Sequence, residues 1–312
     1  VLQRCQHALK IAQEALEATR SMVDGVYIYG GYAGFGEAVP NDRNVTVYAT
    51  VLSGDVGVAG PITDNSHHVV TGADNALLDG FTITVGYNAL SGLPAEGGAG
   101  MINNGVSPSV VNCTFLSNVA PQGGAVLNWG ACSPIFTGCV FDSNAAVVAG
   151  GAVLNASATT PEFIDCVFVS NNSNNDGGAI YNSDSAAVIA NCVLTGNTTT
   201  FTGGAINNVT TGPTIVNCTI CNNTATTAGG IRNANCNATI SNCIIRNNSG
   251  AEVDDSGSAA SVISYSNVEG GWGGAGSNNI DADPLFVQDT DPDGTDNVWL
   301  TSDDGLAIDA GS

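Results

Sequence analysis

Thiol and amide side chains recur at one spacing through the middle of this 312-residue chain. Six cysteines follow one another in step with a series of Gly-Gly pairs whose period is 26 or 27 residues. They are Cys113, Cys139, Cys166, Cys192, Cys218 and Cys243, which we call the cysteine ladder. An asparagine stands five residues after each cysteine. The series is Asn118, Asn144, Asn171, Asn197, Asn223 and Asn248, which we call the corner asparagine ladder.

The cysteine ladder allows three kinds of chemistry. Metal ligation is disfavoured, because no Cys-x-x-Cys pair or neighbouring histidine accompanies the series. If repeats stack ~4.8 Å apart, pairs such as Cys113 and Cys139 fall within the Cα separation of a disulfide in an oxidising compartment. A buried free thiol that serves as a small apolar filler is the third option, and one thiol per repeat favours it. The cysteines outside the ladder, without a predicted partner, are Cys5, Cys132, Cys221 and Cys236.

The corner asparagine ladder has a structural and a functional interpretation. A corner asparagine can turn inward, where its amide bonds the backbone groups that a bend leaves unpaired and the next asparagine in the stack. Turned outward, the same residues would line a sugar-binding wall. The unbroken register over six repeats favours the structural interpretation.

An acidic loop near the C-terminus is a candidate metal site. Asp289, Asp291 and Asp293 occupy positions 1, 3 and 5 of a calcium loop, with a glycine at position 6. Asp296 adds a further carboxylate, whereas Leu300 stands where such a loop has its bidentate glutamate. The four aspartates are the candidate calcium ligands, and calcium is the only cofactor that the sequence predicts. The alternative is a solvated acidic loop.

Catalytic chemistry has little support in the sequence. Proton abstraction beside a carboxylate needs a cationic base, and only Arg232 and Arg246 lie on the regular repeats. Glycoside hydrolysis needs two carboxylates a few ångströms apart. The acids between residues 97 and 229 are Asp142, Glu162, Asp165, Asp176 and Asp184. Asp142 and Asp165 fall in adjacent repeats at different ladder positions, and one histidine of the pair His67-His68 is expected to point outward. We therefore predict no catalytic residue, with a carbohydrate-active enzyme as the rival hypothesis.

The elements that position these residues follow from the repeat, because a fixed period of this length is typical of a solenoid. The Gly-Gly pairs start at Gly97, Gly123, Gly150, Gly177, Gly203 and Gly229. Apolar residues stand three positions before and two positions after every ladder cysteine. Because side chains of a strand alternate between its faces, the residue two positions after the cysteine lies on the same face as the cysteine. The residue before each cysteine is asparagine, glycine or aspartate, which predicts a bend.

Each repeat therefore predicts about three short strands separated by corners, which is one coil of a parallel β-helix. The hexapeptide repeat of left-handed forms is missing, so we predict a right-handed helix. The predicted fold class is all-β, with one short N-terminal α-helix.

Four regions follow along the chain. Residues 1–24 are predicted to form an amphipathic helix that caps the open end of the β-helix or mediates assembly. Residues 25–96 are predicted to form irregular coils, and residues 97–250 six regular coils. Residues 251–312 are predicted to form acidic coils that contain the calcium loop.

Charge narrows the range of partners. The chain has 28 acidic and six basic residues, a formal net charge of −22. Nucleic acids, anionic membranes and acidic polysaccharides are disfavoured, because binding them needs clustered cations. No segment is long and apolar enough to cross a bilayer. The chain opens on Val1 rather than Met, from which we expect a processed, exported product.

The motifs resemble a known family. The repeats of chlamydial polymorphic outer-membrane proteins combine GGA(I/L/V) with FxxN. Matching positions are GGAV at Gly123 and Gly150, GGAI at Gly177 and Gly203, and FxxN at Phe115–Asn118, Phe141–Asn144 and Phe168–Asn171. The flanking LDGFTI and DADPLF segments resemble secreted bacterial right-handed β-helix proteins of the pectin-lyase-like class. The resemblance covers residues 25–312 and implies display at the cell surface in adhesive or matrix roles.

These observations predict an extracellular bacterial structural or adhesive protein without catalytic activity. The predicted partners are further copies of the chain, joined head to tail into fibres, or ligands on a host or matrix surface. The alternative is a β-helix protein that binds or degrades polysaccharide.

Overall fold

The computed structural model describes residues 21–35, 37–56, 60, 62, 65–89, 92–93 and 97–284. Within these residues the chain is an all-β parallel solenoid, as predicted. The right-handed sense stays a prediction. Residues 1–20 lie outside the described part, so the predicted N-terminal helix does too. Its predicted end at residue 24 is wrong, because Ser21 already pairs with Thr71 as extended chain and the Met22 N–H donates to the Thr71 carbonyl at 2.8 Å.

Three long parallel sheets and one short sheet run along the solenoid. Sheet 1 contains Tyr27–Tyr29, Leu77–Asp79, Ser109–Val111, Ile135–Thr137, Glu162–Ile164, Val188–Ala190, Thr214–Val216, Thr239–Ser241 and Val262–Ser264. Sheet 2 contains Val70–Thr71, Met101–Asn104, Val126–Trp129, Val153–Thr159, Ile180–Ser185, Ile206–Val209, Ala228–Ala234 and Ala251–Ser256. Sheet 3 contains Thr50–Ser53, Phe81–Thr84, Thr114–Leu116, Val140–Asp142, Val167–Val169, Val193–Thr195, Thr219–Cys221, Ile244–Arg246 and Asn267–Val268. Sheet 4 contains Val119–Gln122, Ala145–Ala149, Asn172–Ser173 and Thr198–Thr199.

One coil visits the sheets in a constant order. From Val126–Trp129 in sheet 2 the chain turns into Ile135–Thr137 in sheet 1, then into Val140–Asp142 in sheet 3. Ala145–Ala149 in sheet 4 leads back to sheet 2 of the next coil. The three predicted strands per coil are confirmed, whereas sheet 4 is an addition that the sequence pattern did not reveal. Its strands lack the repeated apolar alternation that marks the other three sheets, since they run from Val119–Gln122 and Ala145–Ala149 to the polar Asn172–Ser173 and Thr198–Thr199.

Left-handed backbone conformations make the corners. The predicted bend before each ladder cysteine is confirmed, because that residue has a φ between 49° and 59° in all six coils. The residues are Asn112, Gly138, Asp165, Asn191, Asn217 and Asn242. A second such bend, which was not predicted, precedes each corner asparagine, at Ser117, Ser143, Ser170, Gly196, Asn222 and Asn247. Asparagine, aspartate and glycine tolerate this region best, and they fill the first bend in all six coils. The second bend has serine in three coils and asparagine or glycine in the other three.

The predicted repeat boundaries need correction at both ends of the series. Strand pairing aligns Val126 with Met101, which puts Gly98 rather than Gly97 opposite Gly123. Pairing of Ile206 with Ile231 likewise puts Ala228 rather than Gly229 opposite Gly203. The inward apolar residue of sheet 2 sets the register, because a slip of one residue would turn it outward.

In the interior, residues at equivalent positions of successive coils stack on one another. Both predicted apolar series are fully buried, and in the middle coils they are phenylalanines. Phe141 stacks on Phe115 and Phe168 in sheet 3 with ring centroids 5.0 and 4.5 Å away, and it meets Phe136 and Phe163 of sheet 1 edge to face. Offset and edge-to-face rings are the favourable arrangements of aromatic pairs. The core therefore fills the solenoid from sheet to sheet.

Candidate functional site

The corner asparagine ladder lies inside the solenoid. Asn144 shows the pattern, since its Nδ2 donates to the Phe115 carbonyl at 2.9 Å and to Asn171 Oδ1 at 3.0 Å. Its backbone N–H donates to the same Asn171 oxygen at 3.0 Å. Asn118, Asn171, Asn197 and Asn223 repeat these three bonds and are as fully buried as Asn144. These side chains are structural, and they do not line a sugar-binding wall.

A second asparagine series, which we call the strand asparagine ladder, runs along the inner face of sheet 2. It comprises Asn103, Asn128, Asn155, Asn182, Asn208 and Asn233. Each Nδ2 donates to the Oδ1 of the next asparagine at 2.7–2.8 Å. Sequence reasoning missed this ladder, although its signal was present: an asparagine stands five residues after the first glycine of each of the four pairs from Gly123 to Gly203.

Both asparagine ladders end on carboxylates. The asparagine-to-asparagine bonds all run in the same direction along the axis, so the last donor of each ladder needs an acceptor from another residue type. Asn248 Nδ2 donates to Glu252 Oε2 at 2.6 Å, and Asn233 Nδ2 donates to Asp255 Oδ1 at 2.9 Å. Both acids come from Ala251–Ser256, the last strand of sheet 2.

The cysteine ladder is buried throughout, and its members are thiols without disulfide bonds. Their Sγ atoms do more than fill space, because Cys166 Sγ lies 3.3 Å from the Ile164 carbonyl and Cys192 Sγ lies 3.4 Å from the Cys166 backbone nitrogen. Ser266 takes over this position in the next coil, where its hydroxyl accepts from the Cys243 N–H at 3.1 Å. Burial raises the pKa of the Cys113 thiol to about 12, so this thiol is unreactive at neutral pH.

The structure keeps apart the acids that the sequence placed in adjacent repeats. Asp142 stands on sheet 3 and accepts from the Ser143 hydroxyl at 2.6 Å. Asp165 stands at a corner and accepts from Asn191 Nδ2 at 3.0 Å. The four candidate calcium ligands of the loop 289–296 lie outside the described residues, as does Cys5.

Arg246, Arg232 and His68 are engaged in local contacts. Arg246 forms an ion pair with Asp281 at 2.8 Å, and Arg232 donates to Asn207 Oδ1 at 3.4 Å. His67 is exposed. His68 Nδ1 lies 2.9 Å from the Gly98 carbonyl oxygen, and burial lowers the pKa of the His68 ring.

The structure brings together two carboxyl groups that the sequence did not pair. Glu252 and Glu269 line a cleft of about 750 Å³ at the end of the solenoid, with Trp272 on its wall. The Asn247 N–H donates to Glu269 Oε2 at 2.7 Å. Burial, with the neighbouring Glu269 carboxylate, raises the pKa of Glu252 from 4.5 to about 7. Glu252 therefore keeps its proton to a higher pH than an exposed glutamate does, next to the end of the corner asparagine ladder.

Both oxygens of Glu252 also accept hydrogen bonds from Asn248, from its backbone N–H at 3.1 Å and from its Nδ2 at 2.6 Å. The carboxyl group is therefore held at the end of the corner asparagine ladder.

Comparison with known proteins agrees with this architecture. Residues 165–183 match the family model described as the Chlamydia polymorphic membrane protein repeat. No curated protein and no solved structure gives a significant match. The matched residues run from the bend before Cys166, through the sheet 3 strand and Asn171, to the sheet 2 strand that begins at Ile180. They make up most of one coil.

The chain is therefore a parallel β-helix protein in which one coil, over residues 165–183, matches the polymorphic membrane protein repeat. This repeat type indicates a protein of the bacterial surface or outer membrane. Within the described residues, no helix has the length and apolar character needed to span a bilayer. Over the same residues, no three of the His, Cys, Asp and Glu side chains are grouped to hold a metal ion.

The corner asparagine ladder predicts a large difference between two adjacent asparagines. Asn171→Ala is expected to lower the free energy of unfolding by about 3 kcal/mol or more, because it leaves several buried partners unsatisfied at ~1–3 kcal/mol each. Asn172→Ala, at an exposed position, is expected to cost less than about 1 kcal/mol. Urea unfolding followed by circular dichroism measures both. Equal losses for the two variants would contradict the assignment.

The carboxyl pair predicts how stability depends on pH. The folded chain holds a proton on Glu252 that the unfolded chain releases above about pH 4.5. The free energy of unfolding should therefore fall as pH rises from 4.5 to 7, by on the order of 1–2 kcal/mol after allowing for solvent screening. Glu252→Gln should remove this slope, and Glu162→Gln on the outer face of sheet 1 should keep it. Denaturation at pH 5 and pH 8 tests this, and an unchanged slope in Glu252→Gln would refute it.

Proposed function

We propose that this chain is an extracellular structural or adhesive protein of the bacterial surface, without catalytic activity. The observation that carries the proposal is the filled interior: ladders of phenylalanine, isoleucine, cysteine and asparagine occupy it and are fully buried in the regular coils. Binding surfaces are then the outer walls of the sheets. Nine strands of sheet 1 or sheet 3 span ~38 Å at the usual spacing, which suits contact with an extended partner.

The charge of the chain supports the same proposal. At a formal net charge of −22 the walls repel nucleic acid and anionic lipid and stay soluble outside the cell. The match to the polymorphic membrane protein repeat supports display at the bacterial surface. Secretion and membership of the pectin-lyase-like class remain proposals that rest on the resemblance of the flanking segments.

A polysaccharide-degrading enzyme is the second candidate. The cleft with Glu252, Glu269 and Trp272 favours it, because a carboxyl group with a pKa of about 7 can act as a general acid near neutral pH. The two hydrogen bonds from Asn248, which engage both oxygens of Glu252, oppose it. We therefore rank it below the adhesive function.

Incubating the full chain with neutral and acidic glycans and with extracellular-matrix preparations separates the two functions. We expect retention on one or more surfaces without new reducing or unsaturated sugar ends, because the walls bind and no bond is broken. Cleavage that disappears in Glu252→Gln and persists in Glu162→Gln would establish the enzyme instead.

We further propose that copies associate head to tail. At one end of the described part, Tyr27–Tyr29 and Thr50–Ser53 are edge strands of sheets 1 and 3; at the other end, Ala251–Ser256 is the edge strand of sheet 2. Glu252, Asp254 and Asp255 on this last strand repel a second copy of itself, which favours head-to-tail over tail-to-tail contact.

Removal of residues 1–20 tests association. We expect the shortened chain to assemble more than the full chain, because the predicted capping segment no longer covers the first edge strands. Ser21 and Met22 are kept, since Met22 is buried and bonds Thr71. Light scattering over a concentration series and negative-stain imaging give the readout. Monomers from both chains at every concentration would end the proposal.

Calcium binding by Asp289, Asp291, Asp293 and Asp296 also remains a proposal. It rests on the spacing of the four carboxylates in the sequence.

A further inference from the structure

A groove on the outer wall of sheet 2 is separate from the terminal cleft. We call it the lateral groove; it measures about 330 Å³, and Trp129, Leu154, Ala156, Tyr181 and Asp184 are among its lining residues. Trp129 pairs with Ala156, and Leu154 pairs with Tyr181, so the two aromatic residues lie two coils apart on neighbouring rows. The small Ala156 between them leaves the recess. Both rings are half-buried and pack on a buried apolar patch outside the main core.

Acids flank the groove without a cation to pair with them. Asp184 is exposed and accepts from the Thr211 hydroxyl at 3.2 Å. Burial raises the pKa of the Tyr181 phenol, the negative charge of Asp176 adds to this rise, and the positive charge of Arg232 opposes it. Asp176 also accepts from the Thr202 hydroxyl at 2.6 Å. Neither acid forms an ion pair within the described residues, where the ion pairs are Arg43–Asp79 and Arg246–Asp281.

The same chain shows what such a combination of groups binds. The guanidinium of Arg43 lies over the rings of Tyr29 and Tyr32, at 5.5 and 5.9 Å from their centroids. It also forms an ion pair with Asp79 at 2.8 Å. Two aromatic faces and one carboxylate thus hold one arginine side chain. Ring faces attract cations through their quadrupole, and an adjacent carboxylate adds direct charge attraction.

The lateral groove presents the same groups, two rings and a carboxylate, with no guanidinium between them. Arg232, the nearest cation on this wall, bonds Asn207 one coil beyond Tyr181. The surrounding field is negative at a net charge of −22, so a cationic ligand is drawn in and an anionic one is repelled. The ring faces and the net charge therefore select the same class of ligand.

We propose that the lateral groove binds an arginine side chain from a basic segment of a partner protein, with the guanidinium between Trp129 and Tyr181 and paired with Asp184. The proposal deepens the proposed adhesive function, since it gives the chemistry of one partner. It predicts a contact that weakens with salt, because part of the attraction is between exposed charges.

Fluorescence anisotropy with labelled peptides tests the proposal on the full chain. The probe is a short glycine–serine peptide with two arginines, and its matched control replaces both arginines with citrulline, which keeps the shape and removes the charge. We expect saturable binding of the arginine peptide and at least tenfold weaker binding of the citrulline peptide. Equal binding of the two peptides, or no binding at millimolar concentration, would overturn the proposal.

Variants locate the contact. Tyr181→Leu and Trp129→Leu keep apolar bulk but lose the ring quadrupole, and each should weaken arginine-peptide binding about 2- to 30-fold. Asp184→Asn suits the left-handed backbone at this position, with a φ of 53°, and should weaken binding about threefold or more at low salt. Tyr181→Phe keeps the ring and should bind normally. Asp142→Asn on sheet 3 makes the same charge change elsewhere and should have no effect.

Two outcomes separate failure of the groove from failure of the adhesive function. If peptide binding is unchanged in Tyr181→Leu and Asp184→Asn, both with native melting temperatures, the groove assignment is wrong. If Trp129→Leu instead abolishes binding of a neutral hexasaccharide and the arginine peptide does not bind, the groove is a sugar site and the proposal falls. In both cases, retention of the full chain on matrix preparations would leave the adhesive function standing.

Discussion

The structure depends on in-register stacking of buried amides along one axis. A solenoid coil has polar backbone at its corners, and a corner turned toward the interior cannot obtain hydrogen bonds from water. Each corner asparagine supplies those bonds and receives its own from the asparagine of the next coil. No coil is satisfied alone, because its donors and acceptors face along the axis. Stability therefore arises between neighbouring coils, as expected for a solenoid.

The stacking of amides along one axis also determines which residues are needed at the two ends of each asparagine ladder. A one-directional row of amides leaves a donor at one end and an acceptor at the other. Glu252 and Asp255 receive the last donors, and the Gly86 N–H satisfies Asn118 at the opposite end of the corner asparagine ladder. The acids that end the ladders also form the acidic last strand of sheet 2. The residues that complete the fold thus also set the charge of the surface where a second copy would meet this end.

Much of the fold could be predicted, and the misses have physical causes. Apolar residues three before and two after each cysteine predicted the inner faces of sheets 1 and 3, because only burial keeps a position apolar through six repeats. The strand asparagine ladder was missed, since Asn128 and its equivalents sit in an apolar strand where an amide looks like an isolated exception. The candidate functional sites were harder to predict than the fold. Glu252 and Glu269 are 17 residues apart and line the same cleft only because the chain runs from sheet 2 through sheets 1 and 3 between them.

By itself the sequence determined the period, the coil, the inward residues and the acidic character of the walls, because these are local or repeating properties that each coil expresses on its own. Only the tertiary structure decided which outward residues become neighbours. Trp129 and Tyr181 are 52 positions apart, and Arg43 meets Asp79 across 36. Their juxtaposition depends on the register between coils, and that register follows from strand pairing between coils, which no single repeat contains.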